Sequence, residues 1–180
     1  MKITLLEDVN NKPGKHKIKN EWWSANGVEV VRQRLPVGDY VLMNDKIKDV
    51  FARKEKRGIP VKMMDLLGTY DIAVDSKNSV QELVSDICGK QHDRFRDECL
   101  RAQRCGIQLI VLVEELLPGG RLDNWRSPIG WDGLPMHKFR PDVLRKVMLT
   151  MQEEYGVRFR FCHPNGTGRA LIEYLEGRRK

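Results

Sequence analysis

The sequence predicts a single α/β domain, in which a mixed β-sheet is flanked by helices. Its 180 residues are enough for one domain with a substantial hydrophobic core. The predicted elements follow the order β-α-β-β-(insert)-β-α-α-β-loop-α-β-α, and helices placed between strands favour a sheet covered on both faces. The segment Gln108–Val113 is almost continuously apolar, which is typical of a strand buried on both faces.

The first part of the chain supplies the first predicted strands. A short apolar run predicts a strand at Lys2–Leu6, and alternation of apolar and polar residues predicts another at Val28–Arg34. Between them, Glu21–Asn26 is predicted to be helical. We expect Leu35–Leu42 to return beside the preceding strand as a hairpin, with its tight turn at Gly38.

A basic insert follows these strands. Lys46–Arg57 is a broken segment whose last part is nearly all charged, and it contains Lys54, Lys56 and Arg57. Such runs are usually the solvated face of a helix. The same side chains could instead contact phosphates, because the insert lies between two strands that carry acidic residues, and the residues leave both interpretations open. Val61–Leu67 is predicted to be a short amphipathic helix or a turn.

The second half of the chain continues the alternation of helices and strands. Besides the apolar strand, the predicted elements are helices at Gln91–Arg104, Pro141–Tyr155 and Arg169–Leu175 and a strand at Val157–Cys162. We divide the domain, residues 1–180, into a core of about residues 2–115, a loop at 116–140 and a C-terminal helix–strand–helix at 141–177. The loop is rich in proline and glycine and is interpreted as either functional or mobile.

The composition narrows the partners and the compartment. A net charge of +7 suits a polyanionic partner such as DNA, although many ordinary surfaces are also basic. No apolar run is long enough to span a membrane and no signal peptide is evident, so we expect a cytoplasmic protein. The four cysteines form no CxxC pair and fit reduced thiols, and the histidines lack metal-ligand spacing, which makes zinc improbable.

The segment with the most specific chemistry begins at a short apolar strand, Ile72–Val74. Asp75 and Lys77 follow it, and because side chains in a strand alternate, both point to the same face. Ser79 is predicted to cap a helix, with Glu82 three residues later completing a capping box. A carboxylate beside an ammonium can hold a divalent cation and stabilise a phosphate in reaction. The simpler alternative is an ordinary surface ion pair, since the D-x-K pattern is common by chance.

A magnesium site needs a second carboxylate, because one alone holds the ion poorly. The best candidate is Asp39, which follows Gly38 in the segment Leu35–Tyr40. Magnesium prefers oxygen ligands. Asp39 and Asp75, with Lys77 beside them, are therefore candidates for a Mg²⁺ site, and the surface ion pair stays open as the alternative.

In order along the chain, these segments resemble the ERCC4-type (XPF-like) nuclease domain. That family is a branch of the PD-(D/E)xK restriction-endonuclease-like fold, and the similarity runs from about Ile3 to Glu114. The segments that carry it are Asp8 with residues 12–16, Leu35–Tyr40, Ala73–Lys77, Glu82–Ile87 and Arg94. The ordered combination is more specific than any single segment. The C-terminal part resembles the standalone versions found in phage and bacterial genomes.

The resemblance implies an active site. The family's GD aspartate matches Asp39, and its ERK motif matches Asp75-Ser76-Lys77. The implied metal ligands are the carboxylates of Asp39 and Asp75 and the carbonyl of Ser76. The family's first-strand acid matches Asp8, and its later aspartate is approximated by Glu82.

The sequence departs from the family pattern in two places. The arginine and glutamate that usually follow the first-strand acid are Asn10 and Asn11 here, which weakens that corner of the site. Ser76 stands where the family's motif has arginine, which removes one contact that could serve a phosphate.

The resemblance further implies Mg²⁺- or Mn²⁺-dependent endonucleolytic cleavage of DNA phosphodiester bonds, and it suggests a homodimer. Arg94 and Arg101, together with the basic insert, are the expected contacts to the DNA backbone. The competing hypothesis is a non-catalytic DNA-binding or scaffold subunit on the same fold. The changed Asn10, Asn11 and Ser76 favour that alternative. The intact Asp39, Asp75 and Lys77 oppose it.

Overall fold

The computed structural model describes residues 3–12, 17–115 and 141–179. The strands are β1 Ile3–Glu7, β2 Val28–Arg32, β3 Tyr40–Leu42, β4 Ile72–Lys77, β5 Gln108–Val113 and β6 Arg158–Phe161. The helices are α1 Lys17–Ala25, α2 Asp45–Lys56, α3 Val80–Cys88, α4 His92–Arg104, α5 Pro141–Tyr155 and α6 Thr167–Leu175. Short 3₁₀ turns lie at Met63–Leu66 and Pro164–Gly166. The predicted loop at 116–140 lies outside the described residues.

The six strands form one mixed sheet in the order β2-β1-β3-β4-β5-β6. β1 is parallel to β2 and antiparallel to β3, and β3 is antiparallel to β4. The strands β4, β5 and β6 are parallel to one another. This arrangement confirms the predicted α/β class with a mixed sheet. It also confirms that β5, which has a neighbour on each side, is buried along nearly its whole length.

Two hydrophobic cores cover the two faces of the sheet. The larger core packs side chains of α2, α3, α4 and α5 against one face, to which β4 contributes Ala73. The smaller core packs α1 and α6 against the other face, to which β4 contributes Val74. Because β4 alternates between these cores, Asp75 and Lys77 point towards α3 and α4, and Ser76 points towards α1.

The predicted hairpin at Leu35–Leu42 is wrong. β3 pairs with β1 instead of β2, because β1 lies between them in the sheet. The chain after β2 crosses the end of β1, and the backbone N–H of Leu35 donates a hydrogen bond to Asp8 Oδ2 at 2.7 Å during this crossing. Gly38 then takes φ +76°, and a Cβ at this position would lie 2.8 Å from Ala73 Cβ. Only glycine fits this close approach of the segment before β3 to β4.

The insert is also more regular than the sequence indicates. It forms a continuous 12-residue helix, α2, instead of a broken segment. Asn44 caps its first turn, since Asn44 Oδ1 accepts a hydrogen bond from the N–H of Ile47 at 2.9 Å. Ile47 and Val50 are buried, so packing against the core holds a helix whose other residues are mostly charged. Arg53, Lys54 and Lys56 lie in its last turn, where they suit the helix dipole.

The first helix starts earlier than predicted, at Lys17 instead of Glu21. This extension brings Lys19 into the protein interior, where its side chain is fully buried. All four cysteines are free thiols. No helix within residues 3–12, 17–115 and 141–179 has both the length and the apolar character needed to cross a membrane.

Candidate active site

A cleft of about 480 Å³ opens beside the end of β4 and the start of β3. Its acidic lining residues are Asp8, Asp39, Asp75, Glu82, Asp86 and Glu98, and its basic ones are Lys12, Arg34, Lys77, Arg94 and Arg101. The structure thus gathers all five predicted catalytic residues and two of the predicted DNA contacts at one place. Asp86, Glu98 and Arg34 were not predicted.

Asp39 and Asp75 form the acidic centre of the cleft. The N–H of Asp39 donates to the carbonyl of Val74 at 2.8 Å, and Asp39 Oδ2 accepts from the N–H of Ser76 at 3.0 Å. Burial and then the neighbouring charge of Asp75 raise the pKa of Asp39 well above its usual value. Ionising both carboxyl groups together is therefore costly in this cleft, and their hydrogen bonds do not offset that cost.

Lys77 is held by two carboxylates. Its Nζ lies 2.8 Å from Asp75 Oδ2 and 2.7 Å from Asp86 Oδ2, and 5.4 Å from the centre of the Phe95 ring. Burial lowers the pKa of Lys77, but the charges of Asp75 and Asp86 outweigh burial, so the pKa is raised overall. Lys77 is therefore an ammonium at neutral pH. It can donate hydrogen bonds and stabilise negative charge, but it cannot accept a proton.

The acid nearest to Lys77 on α3 is Asp86, one helical turn after the predicted Glu82. Glu82 Oε2 accepts a hydrogen bond from the N–H of Asn78 at 2.8 Å, and Ser79 Oγ accepts from the N–H of Glu82 at 3.2 Å. Ser79 thus caps α3 as predicted. The Glu82 carboxylate completes the cap by accepting from the N–H of Asn78, where the predicted capping box has the N–H of Ser79. Helical periodicity could have identified Asp86, because residues four apart lie on the same face.

Glu98 supports the turn that carries Asp39. Its Oε1 accepts a hydrogen bond from the N–H of Gly38 at 2.8 Å. Burial and then the charge of Asp75 raise the pKa of the Glu98 carboxyl. Glu98 lies on α4 between Arg94 and Arg101, at the spacing that places all three on one stripe. This spacing could have identified Glu98 from the sequence, because both arginines were already candidate DNA contacts.

Both carboxylate oxygens of Asp8 accept hydrogen bonds from backbone N–H groups. Oδ2 holds the N–H of Leu35, and Oδ1 accepts from the N–H of Asn10 at 2.8 Å. Its predicted catalytic role stays a prediction, and its observed contacts stabilise the crossing between β2 and β3. Asn10 and Asn11 also line the cleft, and the buried Asn11 Nδ2 has no hydrogen-bond partner within residues 3–12, 17–115 and 141–179.

The basic candidates fall into two groups. Arg94 is exposed at the cleft, and Arg101 lines it while donating to the carbonyl of Pro36 at 3.0 Å. In contrast, none of the described residues that line the cleft belongs to α2. Lys54 on that helix pairs with Asp65 at 2.8 Å, and Lys56 and Arg57 are exposed to solvent. Their predicted DNA contacts stay predictions.

The side chain of Ser76 points to the opposite face of the sheet from the side chains of Asp75 and Lys77. Its hydroxyl lies 3.1 Å from Lys19 Nζ, on the α1 side of the sheet. A longer side chain at position 76 would start towards α1 and away from the cleft. The loss of a phosphate contact at this position stays a prediction. The backbone N–H of Ser76 instead contributes by holding Asp39.

The donor set fits a magnesium-type ion. Within the described ranges, no three His, Cys, Asp or Glu side chains are grouped as a complete metal cage. Mg²⁺ does not require one, because it usually keeps several waters and binds through one or two carboxylates together with substrate phosphates. Among the residues that the structure describes, the buried Asp75 Oδ2 has no well-directed hydrogen bond, although it pairs with Lys77. Asp39 and Asp75 therefore offer two oxygen-donor groups with charge to be neutralised.

Comparison with known proteins supports the same interpretation of the fold. The sequence profile of the ERCC4 domain matches residues 12–169. Among solved structures, XPF from Aeropyrum pernix superposes with a TM-score of 0.58 at 17% sequence identity, covering 97% of this chain and 64% of that one. The chain thus spans less than two thirds of that protein's length. No curated protein sequence matches the chain.

Proposed function

The chain belongs to the ERCC4 domain family, and from that premise we propose that it is a Mg²⁺- or Mn²⁺-dependent DNA endonuclease hydrolysing phosphodiester bonds. The observation that carries this proposal is the buried Asp39–Asp75 pair with the charged Lys77 beside it, inside a cleft rimmed by arginine and lysine. Buried like charges cost stability, so the arrangement is better explained by a function than by folding.

The two aspartates would hold the metal, together with the carbonyl of Ser76. When bound, a divalent ion lowers the pKa of a coordinated water and neutralises charge on the scissile phosphate. Asp39 must give up its proton to bind the ion, since only the carboxylate is a ligand. Ser76 N–H fixes one Asp39 oxygen, which orients the other oxygen for that task.

Lys77 supplies the fixed positive charge of the reaction. Asp75 and Asp86 hold its ammonium at the floor of the cleft. From there its third N–H would donate a hydrogen bond to the attacking oxygen, and its charge would stabilise the negative charge that develops on the phosphoryl oxygen. Because the ammonium is already oriented by two carboxylates, little reorganisation is needed at the moment of reaction.

The rim of the cleft would bind the DNA backbone. Lys12, Arg34, Arg94 and Arg101 surround the acidic centre, and the net charge of +7 favours a polyanion. The DNA would be encountered inside the cell. One active site cuts one strand, so a double-strand cut would need two chains, and a homodimer would supply them.

Replacing Arg94 with alanine is expected to weaken DNA binding without changing the sequence preference. The slope of log K against log salt should become shallower by about 1, because one phosphate contact is lost. The measurement is a fluorescence-anisotropy titration at several salt concentrations in EDTA. Arg96→Ala is the matched control, because Arg96 lies on the same helix and pairs with Asp93 at 3.3 Å. An unchanged slope in Arg94→Ala would remove this residue from the interface.

The function itself is tested with a labelled panel of duplex, single-stranded, flap, fork and four-way-junction DNA. Each substrate is incubated with Mg²⁺, Mn²⁺ or EDTA, and Asp75→Asn runs beside the parent. The proposal expects cleavage by the parent in metal alone, and loss of that cleavage in the variant. Equal activity in Asp75→Asn would overturn the site, and cleavage in EDTA would overturn metal dependence.

The alternative is a non-catalytic DNA-binding or scaffold subunit. One observation favours it: the Asp8 carboxylate is occupied by two backbone N–H groups, beside Asn10 and Asn11 where the family has charged residues. Binding of the panel without cutting in any metal would decide for this alternative.

A further inference from the structure

Lys19 is a fully buried lysine that the active site described above does not use. It lies on α1, and the exposed fraction of its side chain is 0%. Burying an ammonium costs free energy unless its donors are satisfied, and burial accordingly lowers the pKa of Lys19. A buried lysine needs hydrogen-bond acceptors and a negative charge nearby, and the residues that supply them indicate its role.

Three groups surround the ammonium of Lys19. Nζ lies 2.5 Å from Glu114 Oε1 and 3.1 Å from Ser76 Oγ, and 5.3 Å from the centre of the Tyr40 ring. Glu114 follows β5 directly, and its backbone N–H donates to the carbonyl of Lys77 at 2.8 Å. The ammonium is therefore anchored to the strand ends that form the cleft.

Two of these partners are the immediate neighbours of the two acids. Tyr40 follows Asp39, and Ser76 follows Asp75. Side chains alternate along extended backbone, so the acids face the cleft while Tyr40 and Ser76 face α1. A single buried ammonium thus lies under both acidic positions, on the opposite face of the sheet.

The Ser76 hydroxyl connects the ammonium to one acid. An ammonium only donates hydrogen bonds, so Ser76 Oγ accepts from Lys19, and its own proton is free to point elsewhere. Ser76 Oγ lies 3.4 Å from Asp39 Oδ2, the same oxygen that the Ser76 N–H holds at 3.0 Å. The chain of donors runs from Lys19 through Ser76 to Asp39.

We propose that Lys19 is a positioning residue that orients the Asp39–Asp75 pair for metal binding from the far face of the sheet, acting through Ser76 and Tyr40. This inference rests on the proposed function, since it concerns the same two carboxylates. Lys19 does not touch the cleft, so its effect is on the orientation and charge of Asp39. Removing a residue that contacts a metal's ligands, but not the metal itself, commonly changes metal affinity or activity about 10- to 100-fold.

Two changes test the proposal. Ser76→Ala removes the connecting hydroxyl and leaves the Lys19–Glu114 pair intact. Lys19→Met removes the ammonium, but it leaves the partly buried Glu114 carboxylate without the charge of Lys19, which is destabilising. The double change Lys19→Met with Glu114→Gln removes both charges and carries the test if the single variant does not fold. Lys17→Met is the control, because Lys17 lies on the same helix with 81% of its side chain exposed.

The main readout is Mn²⁺ affinity without DNA, measured by electron paramagnetic resonance of the free ion. The expected result is about tenfold weaker Mn²⁺ binding in Ser76→Ala and in the double variant, with Lys17→Met unchanged. In cleavage assays, kcat at fixed metal should fall by a similar factor, while KM for DNA stays within about twofold, since no phosphate contact is lost. If Lys19 served only stability, these variants would have a lower melting temperature, but they would not lose Mn²⁺ affinity and kcat at an unchanged KM.

The outcomes distinguish this inference from the proposed function. If the parent binds no Mn²⁺ and cuts no DNA, the proposed function fails and Lys19 has no pair to orient. If the parent binds and cuts, but Ser76→Ala and the double variant match it within about twofold in both affinity and kcat, the positioning role is wrong. Lys19 and Glu114 would then form only a buried ion pair of the fold.

Discussion

Replacing Lys77 with methionine is expected to lower kcat for DNA cleavage about 100- to 1000-fold, which corresponds to roughly 2.7–4 kcal/mol of transition-state stabilisation. Lys77 is charged and held by Asp75 and Asp86, so its contribution is a preorganised positive charge in a partly buried site. Methionine keeps the length of the side chain and removes the charge. The effect should fall on turnover more than on DNA binding.

The measurement is single-turnover cleavage in saturating Mg²⁺, together with DNA affinity in EDTA. Lys17→Met is a suitable control, because Lys17 is an exposed lysine on α1 that pairs with Glu21 at 3.7 Å. Circular dichroism should verify folding, since Lys77→Met leaves two carboxylates without their cation. A folded Lys77→Met protein that cleaves at the parent rate would eliminate Lys77 from the mechanism.

Replacing Asp39 with asparagine is expected to abolish metal-dependent cleavage and to stabilise the metal-free protein. The pKa of Asp39 is raised by burial and by Asp75, so the folded protein holds that proton more tightly than the unfolded chain. Stability of the parent therefore falls as pH rises from the ordinary aspartate range through the raised pKa. Asparagine carries no charge, can still accept from the N–H of Ser76, and can donate to Asp75.

The stability gain should be absent near pH 4, grow as pH rises through the raised pKa, and stay constant above it. The gain reaches about 1.4 kcal/mol for each unit by which the folded protein raises the pKa of Asp39. For a chain of this size each kcal/mol gained should raise the melting temperature by roughly 2–4 °C. Calorimetry in EDTA across this pH range measures it. In the parent, added Mn²⁺ should raise the melting temperature, and in Asp39→Asn it should not.

Asp8→Asn provides the contrast within the same cleft. Both oxygens of Asp8 accept from backbone N–H groups, and an amide has only one acceptor oxygen. Its NH₂ group would face a donor, so this variant should lose about 1–3 kcal/mol of stability. If Asp39→Asn is destabilised to the same degree as Asp8→Asn, the Asp39–Asp75 pair is not the strained feature that the structure indicates.

Much of the site could be predicted because its chemistry is local in the sequence. Asp75 and Lys77 share a strand whose alternation places them on one face, and their 2.8 Å contact agrees with that expectation. Ser79 caps α3 where the pattern indicated. Asp39 was proposed as the second carboxylate beside this pair, and both carboxyl groups line the same cleft. Their roles as metal ligands stay predictions.

Other features depended on contacts between distant segments. The hairpin prediction failed because the pairing partner of β3 is β1, and the alternation of apolar and polar residues does not say which strand lies alongside. The chain crosses the end of β1, where Asp8 holds it. Nothing near Asp8 in sequence indicates that its carboxylate binds the N–H of Leu35.

The sequence by itself determined the alternation of helices and strands, the mixed α/β class and the acid–lysine pair, because these follow from short-range periodicity and spacing. Only the tertiary structure decided that Glu98 supports Gly38, that Asp86 holds Lys77, and that Lys19 lies buried beneath the two acids. The physical reason is that a lysine's usual place is the surface. Its burial becomes stable only when Glu114 and Ser76, 95 and 57 residues away, converge on its ammonium.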